Sequence, residues 1–111
     1  MSELQNVDVR EARNFLSQGA TLLDVRELDE WSNGHAPDAV HVPLAELPDR
    51  QRELSKDRLT ICVCRSGARS ARAAHFLAEQ GYDVVNLEGG MLAWRAQAGP
   101  LVADHGEPRG Q

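Results

Sequence analysis

No apolar run in the 111 residues approaches the length that crosses a bilayer, and the opening MSELQNVDVR carries neither a basic start nor an apolar stretch. A membrane span and a secretory leader are therefore not expected, and the cytoplasm is the expected location. Basic residues are outnumbered, 12 Lys and Arg against 17 Asp and Glu, for a formal charge of -5. Nucleic acid is not an expected partner, because neutralising phosphates needs a basic face. Cysteine is scarce too, with only Cys62 and Cys64, too few for the disulfide scaffold of a small secreted domain. On one extended strand their Cα atoms would lie roughly 6.6 Å apart with parallel side chains, which leaves the sulfurs too distant for an unstrained disulfide. Internal repeats and low-complexity blocks are absent as well.

What is present is an ordinary globular composition, 41% hydrophobic and 26% charged, at a length that suits one domain. Residues 1–99 are expected to form that domain. After Pro100 the stretch LVADHGEPRGQ loses periodicity and gathers Gly and Pro, so 100–111 is expected to be a flexible tail. VDVREARNFLSQG places Val9, Ala12, Phe15 and Leu16 on one helical stripe, with Asp8 as N-cap, Glu11 three residues later and Gly19 as the stop. The short apolar runs TLLDV, AVHV, LTICV and VVNL read as strands, and LQNV near the start adds a fifth candidate. Helical candidates alternate with them: ELDEWSNG, a piece from Leu44 to about Leu54, GARSARAAHFLAEQG and GGMLAWRAQAG. That alternation predicts an α/β fold with a small, largely parallel sheet of four to five strands flanked by helices.

The segment CRSGARS, Cys64 to Ser70, sits where the strand LTICV gives way to an alanine-rich helix. In open α/β sheets functional groups gather beyond the carboxyl ends of the strands. If Arg69 or Ser70 opens the helix, the backbone N–H groups from Arg65 to Ser70 can curl around one point and cradle an anion. Gly67 permits the turn, while Arg65 and Arg69 add positive charge near the sulfur. Each of these favours thiolate over thiol, so a nucleophile exists at neutral pH without a partner base.

These residues resemble the rhodanese-like sulfurtransferases. LLDVRELDEWSNGHAPDAVHVPLAEL is similar to the family's first signature, CRSGARS to its active-site loop and NLEGGMLAW to its final signature, in the family's order. The resemblance covers about Val7 to Ala98 and implies the rhodanese-like fold. It implies Cys64 as the catalytic cysteine, with Arg65, Ser66, Gly67, Ala68, Arg69 and Ser70 forming the substrate-binding cradle. It further implies a double displacement in which thiosulfate, or another persulfide donor, leaves its outer sulfur on Cys64 and a thiophilic acceptor such as cyanide, a small thiol or a thiol protein collects it. Two positions depart from the pattern: Ala36 replaces a bulky aliphatic residue, and Asp38 stands where glycine is common.

The remaining chemistry-bearing residues have plainer readings. Cys62 is read as a strand residue without a role. No metal and no other cofactor is expected, since a C-x-C pair with scattered histidines does not supply the four ligands of a structural zinc site. His35 is read as holding its turn, and His41, His75 and His105 have no spacing that suggests catalysis. Asp24 and Arg26 are read as a structural pair at a strand end, RELDE as a solvated helix start, and Trp31 and Trp94 as core. Two alternatives stay open beside sulfur transfer by turnover. One is a dedicated persulfide carrier or binding module. The other is a cysteine phosphatase or arsenate reductase, whose Cys-x5-Arg loop differs from the Cys64-x4-Arg69 spacing here.

Overall fold

The runs of β-branched and apolar residues form five short strands in the computed structural model, which describes residues 4–103. They are β1 (Asn6–Val7), β2 (Thr21–Asp24), β3 (Val40–His41), β4 (Thr60–Val63) and β5 (Val84–Leu87). All pair in parallel, in the spatial order β1-β5-β4-β2-β3. The central strand β4 is buried along its whole length, which is why it reads as an unbroken apolar run rather than an alternating one. The expected α/β architecture is found, and the five strands of the sheet fall within the four to five expected.

Five helices cover the sheet: α1 (Val9–Ser17), α2 (Leu28–Ser32), α3 (Leu47–Arg50, between two 3-10 turns), α4 (Ala68–Glu79) and α5 (Gly90–Ala96). The start of α1 is set by a capping box, with the Asp8 side chain accepting from Glu11 N at 2.8 Å and the Glu11 carboxylate accepting from Asp8 N at 2.9 Å. Two buried clusters divide along the faces of the sheet. Val7, Leu22, Ile61, Val63, Val85 and Leu87 pack with α1 and with Met91 and Trp94 of α5. On the opposite face Leu23, Val25, Cys62 and Cys64 pack with Leu47 of α3 and with Ala73, Ala74 and Leu77 of α4.

Register decides which side chains share a face. Leu23 pairs with Cys62 and Val40, and Asn86 pairs with both Cys62 and Asn6, so these residues form one row across the sheet. Of the tail expected at 100–111, residues 104–111 lie outside the described part. Its beginning is attached: Trp94 Nε1 donates to Pro100 O at 2.8 Å, and Val102 exchanges backbone hydrogen bonds with His35. Both departures from the family pattern have a structural counterpart, with Ala36 buried in the core and Asp38 in the left-handed region at φ 64°. Aspartate is among the few side chains that tolerate that region.

Candidate active site

Cys64 follows β4 directly, and the chain then turns through Arg65, Ser66 and Gly67 into α4. The helix opens at Ala68, within the candidate run GARSARAAHFLAEQG and one residue ahead of the Arg69 considered for its first position. The reason is Gly67, which adopts φ 121° as the N-cap and reverses the backbone one step after Ser66. The early start points donors at the sulfur. Gly67 N donates to Cys64 Sγ at 3.1 Å, and the Ser70 hydroxyl does so at 3.3 Å. Burial alone would push the Cys64 thiol up, but hydrogen bonds from the Ser70 hydroxyl and the Ser70, Gly67 and Ser66 amides prevail and bring it below its ordinary value.

The two cysteines are thus driven apart. Cys62 is fully buried, and desolvation, with a further contribution from the charge on Cys64, pushes its thiol up to about 12. Neither cysteine is in a disulfide. Alkylation should report the contrast: the iodoacetamide rate of Cys64 is expected to hold its plateau below the pH at which a free thiol slows. Burial slows the reaction at every pH, so the midpoint is the quantity to read. A midpoint at the value of a model thiol would mean that the donors do not act on the sulfur as their geometry indicates.

Arg69 feels the charge on Cys64, but its hydrogen bonds go to α2. Its guanidinium makes a two-pronged pair with the Glu30 carboxylate, Nη1 to Oε1 at 2.8 Å and Nη2 to Oε2 at 2.9 Å, which ties the first turn of α4 to α2. The acidic stretch RELDE is therefore more than a solvated helix start. Glu30 also caps α2 by accepting from Glu27 N. The Arg69 hydrogen bonds hold the Glu30 carboxyl down at about 2, and Arg69 is pushed up in turn. A carboxylate with a depressed folded pKa stabilises the fold above its unfolded pKa and loses that contribution as the pH falls through the folded one. The urea midpoint of Glu30→Gln should therefore lie below the native one by a constant amount at neutral pH. The gap should close between pH 4.5, the ordinary carboxyl value, and about 2. A gap independent of pH would show that the pair does not form.

The other loop residues divide into backbone and surface roles. The carbonyls of Cys64 and Arg65 accept from Met91 N at 2.8 Å and Leu92 N at 3.1 Å, so the start of α5 grips the loop from the other side. Gly90 makes this approach possible, because a Cβ there would collide with both carbonyl oxygens. The Arg65 side chain is exposed, and Ala68 is the first residue of α4. At the end of β2 Asp24 and Arg26 form the expected structural pair, doubly hydrogen bonded and almost fully buried, with Arg26 Nη2 also donating to Gly34 O at 2.9 Å. His35 turns its Nδ1 to Ala36 O, stacks on Trp31 and belongs to the turn, while His41 bonds Arg26 O through Nε2. Glu30, Asn86 and the first turn of α5 are site residues that sequence reasoning did not single out. The quoted signatures contain all of them, but no local pattern marks which of their residues reach the loop.

The model of the rhodanese-like domain matches residues 7–97, which include the whole of this loop. The chain belongs to the rhodanese-like domain family. It is 42% identical over 91 residues to a sulfurtransferase of Allochromatium vinosum, covering 81% of this chain and 85% of that protein. Against the thiosulfate sulfurtransferase GlpE of Pseudomonas syringae pv. syringae it is 35% identical over 96 residues, covering 86% and 91%. The crystal structure of a rhodanese-related protein from Thermoplasma volcanium superimposes with a TM-score of 0.84 at 29% identity, over 90% of this chain and 99% of that one. The names of these rhodanese-like relatives support rhodanese-type sulfur transfer in general. Among the described residues, no helix of this rhodanese-like domain is long and apolar enough to cross a membrane.

Proposed function

We propose that the protein is a thiosulfate sulfurtransferase that works through a persulfide on Cys64. The Cys64 thiolate attacks the outer sulfur of thiosulfate. The S–S bond of the donor breaks, sulfite departs with the electron pair, and a new S–S bond leaves the negative charge on the outer sulfur of the persulfide. An acceptor such as cyanide or a thiolate then attacks that outer sulfur and the Cys64 thiolate returns, so no net proton is consumed. The observation that carries this reading is the convergence of the Gly67 amide and the Ser70 hydroxyl on a single atom, Cys64 Sγ. Donors fixed in place before the reaction stabilise charge on sulfur at no cost of reorganisation.

The likeness to a protein named thiosulfate sulfurtransferase favours thiosulfate as donor. Against the phosphatase reading stand the one-residue-shorter loop and the engagement of Arg69 by Glu30, which occupies both prongs of the guanidinium nearest the place a phosphatase arginine would hold. Intact mass tests the proposal. After thiosulfate treatment the protein should gain the mass of one sulfur atom, and cyanide should remove it with formation of thiocyanate. A protein that gains no sulfur from thiosulfate would refute the assignment of donor.

A further inference from the structure

The Gly67 carbonyl has more donors than it can use. It lies 3.0 Å from Ala71 N, 3.2 Å from Ser70 Oγ and 3.3 Å from Asn86 Nδ2. A carbonyl oxygen has two lone pairs, and the first-turn amide of α4 takes one of them. The Ser70 hydroxyl is within reach of two acceptors, Gly67 O and Cys64 Sγ at 3.3 Å, and carries only one proton. Its choice decides whether the sulfur has a hydroxyl donor. Ser70 is fully buried, so this choice lies between protein acceptors.

We propose that Asn86 is a positioning residue for Cys64: by donating to the Gly67 carbonyl it fills the second lone pair and leaves the Ser70 proton to the sulfur. This inference rests on reading Cys64 as the nucleophile. Three observations carry it. The register that pairs Asn86 with Cys62 puts its side chain on the face of the sheet from which Cys64 continues. The amide is 96% buried and spans from Asn6 Oδ1 at 3.1 Å to Gly67 O, which can only accept, so its nitrogen must face the loop. In that orientation Asn86 Oδ1 is buried without a partner among the described residues. An amide held with its own acceptor unsatisfied is oriented by what its nitrogen serves.

Asn86 does not touch the sulfur and acts through the hydroxyl. With the thiolate present, the Ser70 proton points at Sγ. Without the Asn86 donor it turns to Gly67 O, and the thiolate loses one hydrogen bond. The charged and titratable neighbours stay constant in this comparison: Arg69 is engaged by Glu30, and Cys62 is a neutral thiol well above the pH range used.

The test is a double-mutant cycle read by the pH dependence of iodoacetamide alkylation, with folding checked by circular dichroism. Asn86→Leu and Asn86→Ala should each raise the Cys64 midpoint, slowing alkylation below it about three- to tenfold, a half to one pH unit. Ser70→Ala should do the same, and Asn86→Leu added to Ser70→Ala should bring no further change. Full additivity of the two shifts would overturn the proposal by assigning Asn86 a separate action on the loop backbone. An unchanged midpoint in both Asn86 variants would overturn it too, as would failure of both to fold, which would make Asn86 a residue of the fold alone. Alkylation needs no sulfur donor, so a protein that takes no sulfur from thiosulfate would refute the proposed function and leave this result standing.

Discussion

Replacing Cys64 by serine is expected to abolish thiocyanate formation from thiosulfate and cyanide, down to the rate without protein, while the fold persists. A serine hydroxyl is not ionised near neutral pH and cannot carry sulfane sulfur, so neither half of the double displacement survives. Cys62→Ala should retain most of the activity despite lying only two residues away. Its sulfur is fully buried in β4 and its thiol is pushed up to about 12, so it is neither reachable nor ionised. Its loss removes a small buried side chain and should lower stability by about 1 kcal/mol. The measurement is the steady-state rate of both variants beside their denaturation curves. An active Cys64→Ser protein would remove the basis of the persulfide mechanism, and an inactive but folded Cys62→Ala protein would implicate both thiols.

The largest expected effect on stability lies at the buried pair of Asp24 and Arg26. Arg26→Met should cost about 3–5 kcal/mol, the range for removing one partner of a buried ion pair. The Asp24 carboxylate would be left buried and unpaired, and Gly34 O would lose its donor from Arg26 Nη2. For a domain near this size each kcal/mol is worth about 4–8 °C in the melting temperature, so a fall of some tens of degrees is expected. Adding Asp24→Leu should recover part of the loss, because two apolar side chains avoid the uncompensated charge. Recovery should be incomplete, since Arg26 N also donates to the Asp24 carboxylate and Gly34 O stays unserved. A thermal melt of the three proteins decides the matter. An Arg26→Met variant as stable as the native protein would mean that water reaches the pair.

The parts of this molecule legible in the sequence are those whose cause is local. TLLDV, LTICV and VVNL are strands because apolar and β-branched residues dominate runs too short for helices, and Asp8 with Glu11 marks the start of α1 because the capping box closes over three residues. CRSGARS reads as a site because thiol, glycine and helix start are contiguous. The link between Glu30 and Arg69 spans 39 positions, and RELDE has an adequate local explanation as the start of α2, so nothing in the pattern points across to α4. Asn86 sits in VVNL, where the strand signal absorbs it. Only the register that sets it beside Cys62 brings its amide under the loop. The run GARSARAAHFLAEQG brackets α4, but its first residue is set by the positive φ of Gly67, a backbone decision that its neighbours do not announce.

The grip of α5 on the Cys64 and Arg65 carbonyls has a consequence in time. Apart from Glu30, the partners that shape the loop from outside come late in the chain: Asn86, then Gly90, Met91 and Leu92. A chain made from its N-terminus holds Cys64 before any of them exists, and β5 must insert between β1 and β4 before they can dock. Contacts so distant along the chain form slowly and together with the rest of the sheet. Until then nothing from β5 or α5 steadies the loop whose own amides face the sulfur. The final geometry of the site is in this sense a late product of folding: the loop is fixed in place only when the sheet beside it is complete.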